Sequence, residues 1–199
     1  MSAELTRGQL ITRGAALAGA TATLAAFGPA TMKAAAEGGN VDLEVAQFAL
    51  LLERLEADFY VRALKEVPFR SPSARSMART FADDETQHVD ALEQLVRQLN
   101  GRAGRAPKFD FGSALSNEEA FLKTAMLFED TGVSAYNGSG PLIENDDILE
   151  TAGQIVQVEA RHAARCRREN DTNPAPRAFD QALTMDQVMS RLRPYIKQS

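Results

Sequence analysis

The sequence predicts an all-α fold, a four-helix bundle with one long crossover and a short C-terminal helix. Three observations carry this. No stretch alternates apolar and polar residues with period two, so no strand is needed. Four segments of about 22–26 residues repeat their apolar positions at helical spacing and are bounded by capping residues, as in a bundle. The connection between the second and third segments, residues 101–115, is long and rich in Gly, Arg and Ala. It suits an end-to-end crossover, whereas the other connections are short enough to join antiparallel neighbours.

The elements follow in order. Asp42 is positioned to cap a first helix that runs to Val67 and stops at Pro68. Ser71-Pro72 opens a second helix, with Asn100-Gly101 as its stop. Ser116-x-x-Glu119 reads as a capping box for a third helix that ends near Gly138. Asp146 or Asp147 starts a fourth, ending about Asn170. Thr184-x-x-Gln187 caps a short last helix that stops at Pro194. The organisation is therefore a leader or N-terminal arm over 1–36, a bundle over 42–170 and a tail with a short helix over 171–199.

The chain has 199 residues, 44% hydrophobic and 25% charged, enough to bury a core as one domain. One cysteine, Cys166, excludes an internal disulfide. A net charge of -5, with no Lys/Arg block longer than two, argues against a nucleic-acid partner. The first residues read differently from the rest. Arg7 and Arg13 precede an uncharged run, Gly14 to Gly28, then Pro29 and an A-x-A site at Ala34-Ala35-Ala36. That is the layout of an export signal, too short and Ala-rich to span a membrane stably. Residues 6–11, TRGQLI, resemble a degenerate twin-arginine signal in which Thr6 replaces the first arginine. The expected location is the periplasm, the cell surface or the outside.

The apolar seams carry the chemistry. The second helix has Phe81, Glu85, His88, Leu92, Leu95 and Leu99 at alternating steps of four and three. The fourth repeats the pattern with Ile148, Ala152, Ile155, Glu159, His162 and Cys166. The third runs Leu122, Met126, Glu129, Val133, Tyr136, and the first Ala49, Glu53, Glu56, Tyr60. The expected core thus holds four or five carboxylates and both histidines, with no Lys or Arg on any seam. A buried, unpaired carboxylate costs several kcal/mol, on the order of the penalty for any lone buried ion. Two divalent cations would balance four glutamates, and Glu-x-x-His places its two side chains one above the other on a helix face.

The pattern also repeats internally. Glu53 and Tyr60 recur as Glu129 and Tyr136, and Glu85 and His88 recur as Glu159 and His162, at nearly the same offset along the chain. This is the pseudo-twofold expected of a binuclear centre with one histidine per metal. Oxygen and imidazole ligands without thiolate favour iron, with manganese as the alternative and zinc a further option.

At these residues the chain resembles the ferritin-like superfamily, whose dimetal-carboxylate site takes one Glu from each of two helices and Glu-x-x-His from the other two. The segments LLERLEADFY (51–60), FEDTGVSAYNG (128–138) and VEARHAARCR (158–167) are similar to bacterial exported ferritin-like proteins related to plant desiccation-related proteins. The resemblance implies Glu53, Glu85, His88, Glu129, Glu159 and His162 as metal ligands. Glu85 and Glu159 would bridge the two ions, and Glu53 with His88, and Glu129 with His162, would be terminal. Glu56 is an additional or alternative ligand on the first helix; Glu53 is preferred because it alone matches the Glu-to-Tyr spacing. Tyr60 and Tyr136 are read as core residues with satisfied hydroxyls, with a redox role as the alternative.

Six protein ligands on two ions leave open positions for dioxygen or hydrogen peroxide. The expected activity is therefore that of a di-iron or di-manganese oxidoreductase, such as a ferroxidase or a peroxide-consuming enzyme in stress protection. A competing reading is a non-enzymatic, metal-stabilised bundle for desiccation protection or surface interaction. Iron storage would need a closed cage, against which the long linker and tail speak. A monomer or small homo-oligomer is expected.

Overall fold

The computed structural model describes residues 40–197, and the leader expected over 1–36 lies outside them. Five α-helices account for most of this span: α1 (Val41–Glu66), α2 (Pro72–Gln98), α3 (Glu118–Ser139), α4 (Asp146–Glu169) and α5 (Met185–Leu192). Short 3-10 turns lie at Gly112–Leu115, Gly140–Leu142 and Arg193–Tyr195. Among the described residues there is no strand beyond one isolated antiparallel bridge, Phe109 to Ile196. No described helix is long and apolar enough to cross a membrane.

The helix starts differ slightly from expectation. Asn40, not Asp42, caps α1, its Oδ1 accepting from Leu43 N at 3.0 Å. Asn117, not Ser116, caps α3, its Oδ1 accepting from Ala120 N at 2.9 Å. Glu119 does not close a capping box and instead meets Lys123 at 2.6 Å on the surface. Asn145 caps α4, so Asp146 is its first helical residue. The Thr184/Gln187 capping box is present at α5. At the end of α2 it is Asn100, with φ of 59°, that turns left-handed before Gly101.

Asp42 has a different task. Its carboxylate accepts from the backbone N–H groups of Glu144 and Asn145 at 2.8 and 3.1 Å, pinning the α3–α4 turn to the start of α1. Glu118, in the first turn of α3, accepts from the N–H groups of Arg70 and Ser71 at 2.7 and 2.8 Å, pinning the α1–α2 turn. The two pins are counterparts in the internal repeat: Asp42 stands as far before Glu53 as Glu118 stands before Glu129.

The bundle is two helical hairpins, α1–α2 and α3–α4, packed against each other. Cross-links between them fix the direction: Tyr60 meets Glu129 and Tyr136 meets Glu53, so α1 and α3 are antiparallel. The core on one side of the glutamates is aromatic. Phe59, fully buried, meets the rings of Tyr60, Phe111, Phe121 and Phe128 at centroid distances of 4.9–5.4 Å. On the other side an aliphatic cluster of Ala46, Ala49, Leu50, Leu92, Val96 and Ile155 closes the core.

The crossover and the tail hold one another. Arg54 on α1 reaches the Ala103 carbonyl at 2.8 Å and Glu93 on α2 at 2.6 Å, anchoring the start of the crossover. Further on, Asp110 N donates to the Tyr195 carbonyl, and Lys197 N to the Lys108 carbonyl, both at 2.9 Å. The tail also lies on α3. Leu183 N donates to the Ser134 carbonyl at 2.9 Å, and the tail backbone approaches Gly138 so closely that a Cβ there would overlap the Leu183 carbonyl. The clash is with backbone, so no rotamer relieves it. Gly138→Ala is expected to cost about 1–3 kcal/mol, the usual range for overpacking. Thermal unfolding should show the lower midpoint, and limited proteolysis should cut the tail near Leu183 sooner than in the parent.

Candidate metal centre

At mid-bundle four helices turn carboxylates inward. Glu53, Glu85, Glu129 and Glu159 are 0% exposed and Glu56 is 3% exposed. Each sits on an apolar seam, so helix packing leaves it no route to solvent. The structure brings all six expected ligands together. Ligand atoms of Glu53, Glu85, His88 and Glu159 lie within 4.8 Å of one another, as do those of Glu85, Glu129, Glu159 and His162. The two groups share Glu85 and Glu159.

Both histidines present Nδ1 to the cluster. His88 Nδ1 is 3.1 Å from Glu53 Oε2, 3.0 Å from Glu85 Oε2 and 3.4 Å from Glu159 Oε1. His162 Nδ1 is 2.8 Å from Glu85 Oε1 and 3.4 Å from Glu129 Oε2. Tyr136 donates its hydroxyl to Glu53 Oε1 at 2.5 Å, and Tyr60 donates to Glu129 Oε1. Each tyrosine thus orients the glutamate of the opposite hairpin. Cys166, one turn beyond His162, is a buried free thiol whose pKa burial raises.

Several buried atoms have no hydrogen bond among the described residues: Glu56 Oε2, Glu85 Oε1, Glu129 Oε2, both carboxylate oxygens of Glu159, and His162 Nδ1. An orphaned buried acceptor costs about 1–3 kcal/mol, more when charged. His162 Nδ1 and Glu85 Oε1 approach to 2.8 Å without hydrogen-bond geometry, as lone pairs aimed at a common point do. This donor set, carboxylate oxygen and imidazole nitrogen in a dry pocket, fits two hard or borderline divalent cations.

Without metal, protons must supply the compensation. Burial and repulsion from the other carboxylates raise Glu159 and Glu56 well above the ordinary range. Burial pushes Glu85 up to about 8, although the imidazoles of His162 and His88 beside it pull against the rise. Burial also raises Glu53, but hydrogen bonds from His88, Glu85 and Tyr136 outweigh it and hold the group low. Burial opposes charge on the histidines, yet the surrounding glutamates prevail and push His88 to about 12 and His162 to about 11. Both tyrosines are raised well above 10.0 by burial and by their partner carboxylates, so their hydroxyls stay donors.

Three features escaped the sequence reading. Asp84 Oδ2 lies 3.1 Å from His162 Nε2, across the helix pair. Phe81, taken only as a seam residue, stacks on the His162 ring with centroids 3.8 Å apart. Gly132 makes room for the central carboxylates, because a Cβ there would stand 2.7 Å from Glu159 Oε2 and 3.4 Å from Glu56 Oε1. Gly132 follows Glu129 by the same step as Glu56 follows Glu53, so the repeat itself held that signal. One hairpin carries an extra carboxylate and the other the space for it.

Residues 41–170 match the sequence profile of the family described as ferritin-like domain. No curated protein matches the chain.

The raised groups fix a pH dependence. Glu85 rises from 4.5 to about 8, and the histidines from 6.5 to about 12 and about 11, so the folded metal-free chain holds more protons than the unfolded one above pH 4.5. Its stability should therefore fall as pH rises from about 5 to about 8. The lowered Glu53 acts below 4.5 and does not oppose this. Differential scanning calorimetry of the chelator-treated protein should show the decline. Bound divalent metal should flatten it, releasing protons that calorimetry in buffers of different ionisation enthalpy will count.

Proposed function

The chain belongs to the ferritin-like domain family, and on that premise we propose that it is a dimetal-carboxylate protein performing redox chemistry on iron, with manganese as the alternative metal. The observation that carries this is the pair of ligand groups sharing Glu85 and Glu159, with inward atoms that nothing else partners. Glu53 with His88, and Glu129 with His162, would hold the outer sides of the two ions, and Glu85 and Glu159 would lie between them. Glu56, buried beside Glu159 and lacking a partner for Oε2, is an additional carboxylate within reach of the centre.

Two adjacent ions of variable valence supply one electron each, which suits two-electron reduction of hydrogen peroxide or dioxygen without release of a radical. The chain's part is positioning and proton handling. Tyr136 and Tyr60 hold Glu53 and Glu129 by one oxygen, leaving the other for a ligand role. The aromatic and aliphatic layers on either side exclude bulk water. Burial and the neighbouring carboxylates raise Glu56 well above the ordinary carboxylate range, so its buried carboxyl, beside Glu159, is suited to hold a proton at the centre. We place this activity in the stress protection of an exported protein, on the leader pattern of residues 1–36 and the likeness to desiccation-related proteins.

A second reading is favoured by the complete enclosure of four glutamates. Here metal only stabilises a bundle that serves desiccation protection or surface interaction. Metal binding without turnover would select it.

Plasma mass spectrometry on protein purified without chelator is expected to find about two iron or manganese ions per chain, the stoichiometry of a two-metal site. Glu85→Ala and His162→Ala should each reduce iron-dependent peroxide consumption and ferrous oxidation to background while circular dichroism retains the helical signal. Undiminished turnover in either variant would refute the assignment.

A further inference from the structure

The two Glu-x-x-His helices are repeats, but they do not surround their histidines alike. Asp84 Oδ2 stands 3.1 Å from His162 Nε2, and Phe81 stacks on that ring at 3.8 Å with planes 23° apart. In the repeat, Val158 immediately precedes Glu159 as Asp84 precedes Glu85, and Ile155 lies one turn before Glu159 as Phe81 does before Glu85. Val158 offers no side-chain acceptor and Ile155 no ring, so among the described residues nothing supports His88 as Asp84 and Phe81 support His162. The exposures follow: the His88 side chain is 12% exposed and that of His162 5%.

A neutral imidazole that ligates through Nδ1 carries its proton on Nε2. Asp84 accepts that proton in a hydrogen bond, which fixes the tautomer, and Phe81 fixes the ring plane. Such support raises the basicity of the ligating nitrogen and holds the ring ready before an ion arrives. Among the described residues, His88 is oriented from its Nδ1 side alone, by the Glu53 and Glu85 carboxylates at 3.1 and 3.0 Å.

We infer that the two metal positions are inequivalent: the one bounded by Glu129, His162 and the shared Glu85 and Glu159 binds the first divalent ion more tightly, with Asp84 as its positioning residue. This rests on the dimetal reading proposed above. Asp84 touches no ion in this arrangement. It acts through His162 from a side chain that is itself 34% exposed.

The test is a cobalt(II) titration of the full chelator-stripped chain, followed by visible absorption and calorimetry. The parent is expected to fill in two resolved steps. Asp84→Asn, isosteric at a partly exposed position, should weaken the first step about 10–100-fold, the usual cost of losing such a partner, and alter its absorption band. Asp84→Glu should restore part of the loss. His162→Ala should remove the tight step and His88→Ala should leave it. A merely structural role would lower the metal-free melting temperature of Asp84→Asn while leaving the first-step affinity and the cobalt band unchanged. Two equal steps in the parent, an unaltered first step in Asp84→Asn, or loss of the tight step in His88→Ala would overturn the inference while leaving two metals bound. Failure to bind cobalt, and likewise iron(II), would overturn the dimetal reading and this inference with it.

Discussion

Five carboxylates buried around one point are the constraint on which the rest of this structure depends. Each would cost several kcal/mol if ionised and alone, on the order of the effective penalty for a buried ion, and together they repel. No lysine or arginine lies on the seams that carry them, so the chain cannot neutralise them with its own fixed cations. What it supplies is two imidazoles, two phenol hydroxyls and protons. The apolar layers above and below then matter in two ways. They stabilise the bundle by burial, and they lower the local dielectric so that an unpaired charge on any of the glutamates is costly.

The same constraint explains why the bundle is held at its turns as well as its centre. The Asp42 and Glu118 pins each tie a turn of one hairpin to the first turn of the other. Carboxylates that repel at mid-bundle would otherwise push the hairpins apart. The pins obey the same pseudo-twofold as the inward glutamates and histidines, so scaffold and site repeat as one unit. Around the cluster the symmetry breaks where Glu56 faces Gly132 and where Val158 and Ile155 stand in place of Asp84 and Phe81.

Much of this was legible in the sequence because helical periodicity is a local property. Glu and His at steps of three and four in a Phe/Leu stripe can only point where the stripe points, so four seams gave an all-helical bundle with an acidic centre. Helix starts were less legible. Asn40 and Asp42, or Ser116 and Asn117, are competent caps close together, and the choice is settled by partners elsewhere. Asp42 is drawn to the Glu144 and Asn145 amides, and Glu118 to those of Arg70 and Ser71. Asp84 was the least legible. It sits beside Glu85 on a face that looks solvated, and only the approach of α4 converts it into a partner for His162. Gly132 lay between these extremes, visible once the repeat is aligned position by position.

One small irregularity has a wider meaning. The hairpins match position for position from pin to tyrosine and again from turn to histidine, but the stretch from Tyr136 to Glu159 is two positions shorter than that from Tyr60 to Glu85. α3 runs three residues beyond Tyr136 where α1 runs six beyond Tyr60, and the connection that follows is one residue longer, 140–145 against 67–71; its amides are gripped by Asp42 as those of the first hairpin are by Glu118. The length change is absorbed in the last turn of α3 and the connection after it, without moving a glutamate or histidine of the cluster out of register. Insertions and deletions of this size inside a helix would rotate every glutamate and histidine beyond them by more than half a turn. The helix ends beyond the two tyrosines, with the turns that follow, are thus the places where this chain can grow or shrink and keep the same cluster, and the stretches from pin to tyrosine and from cap to histidine are the places where it must keep count.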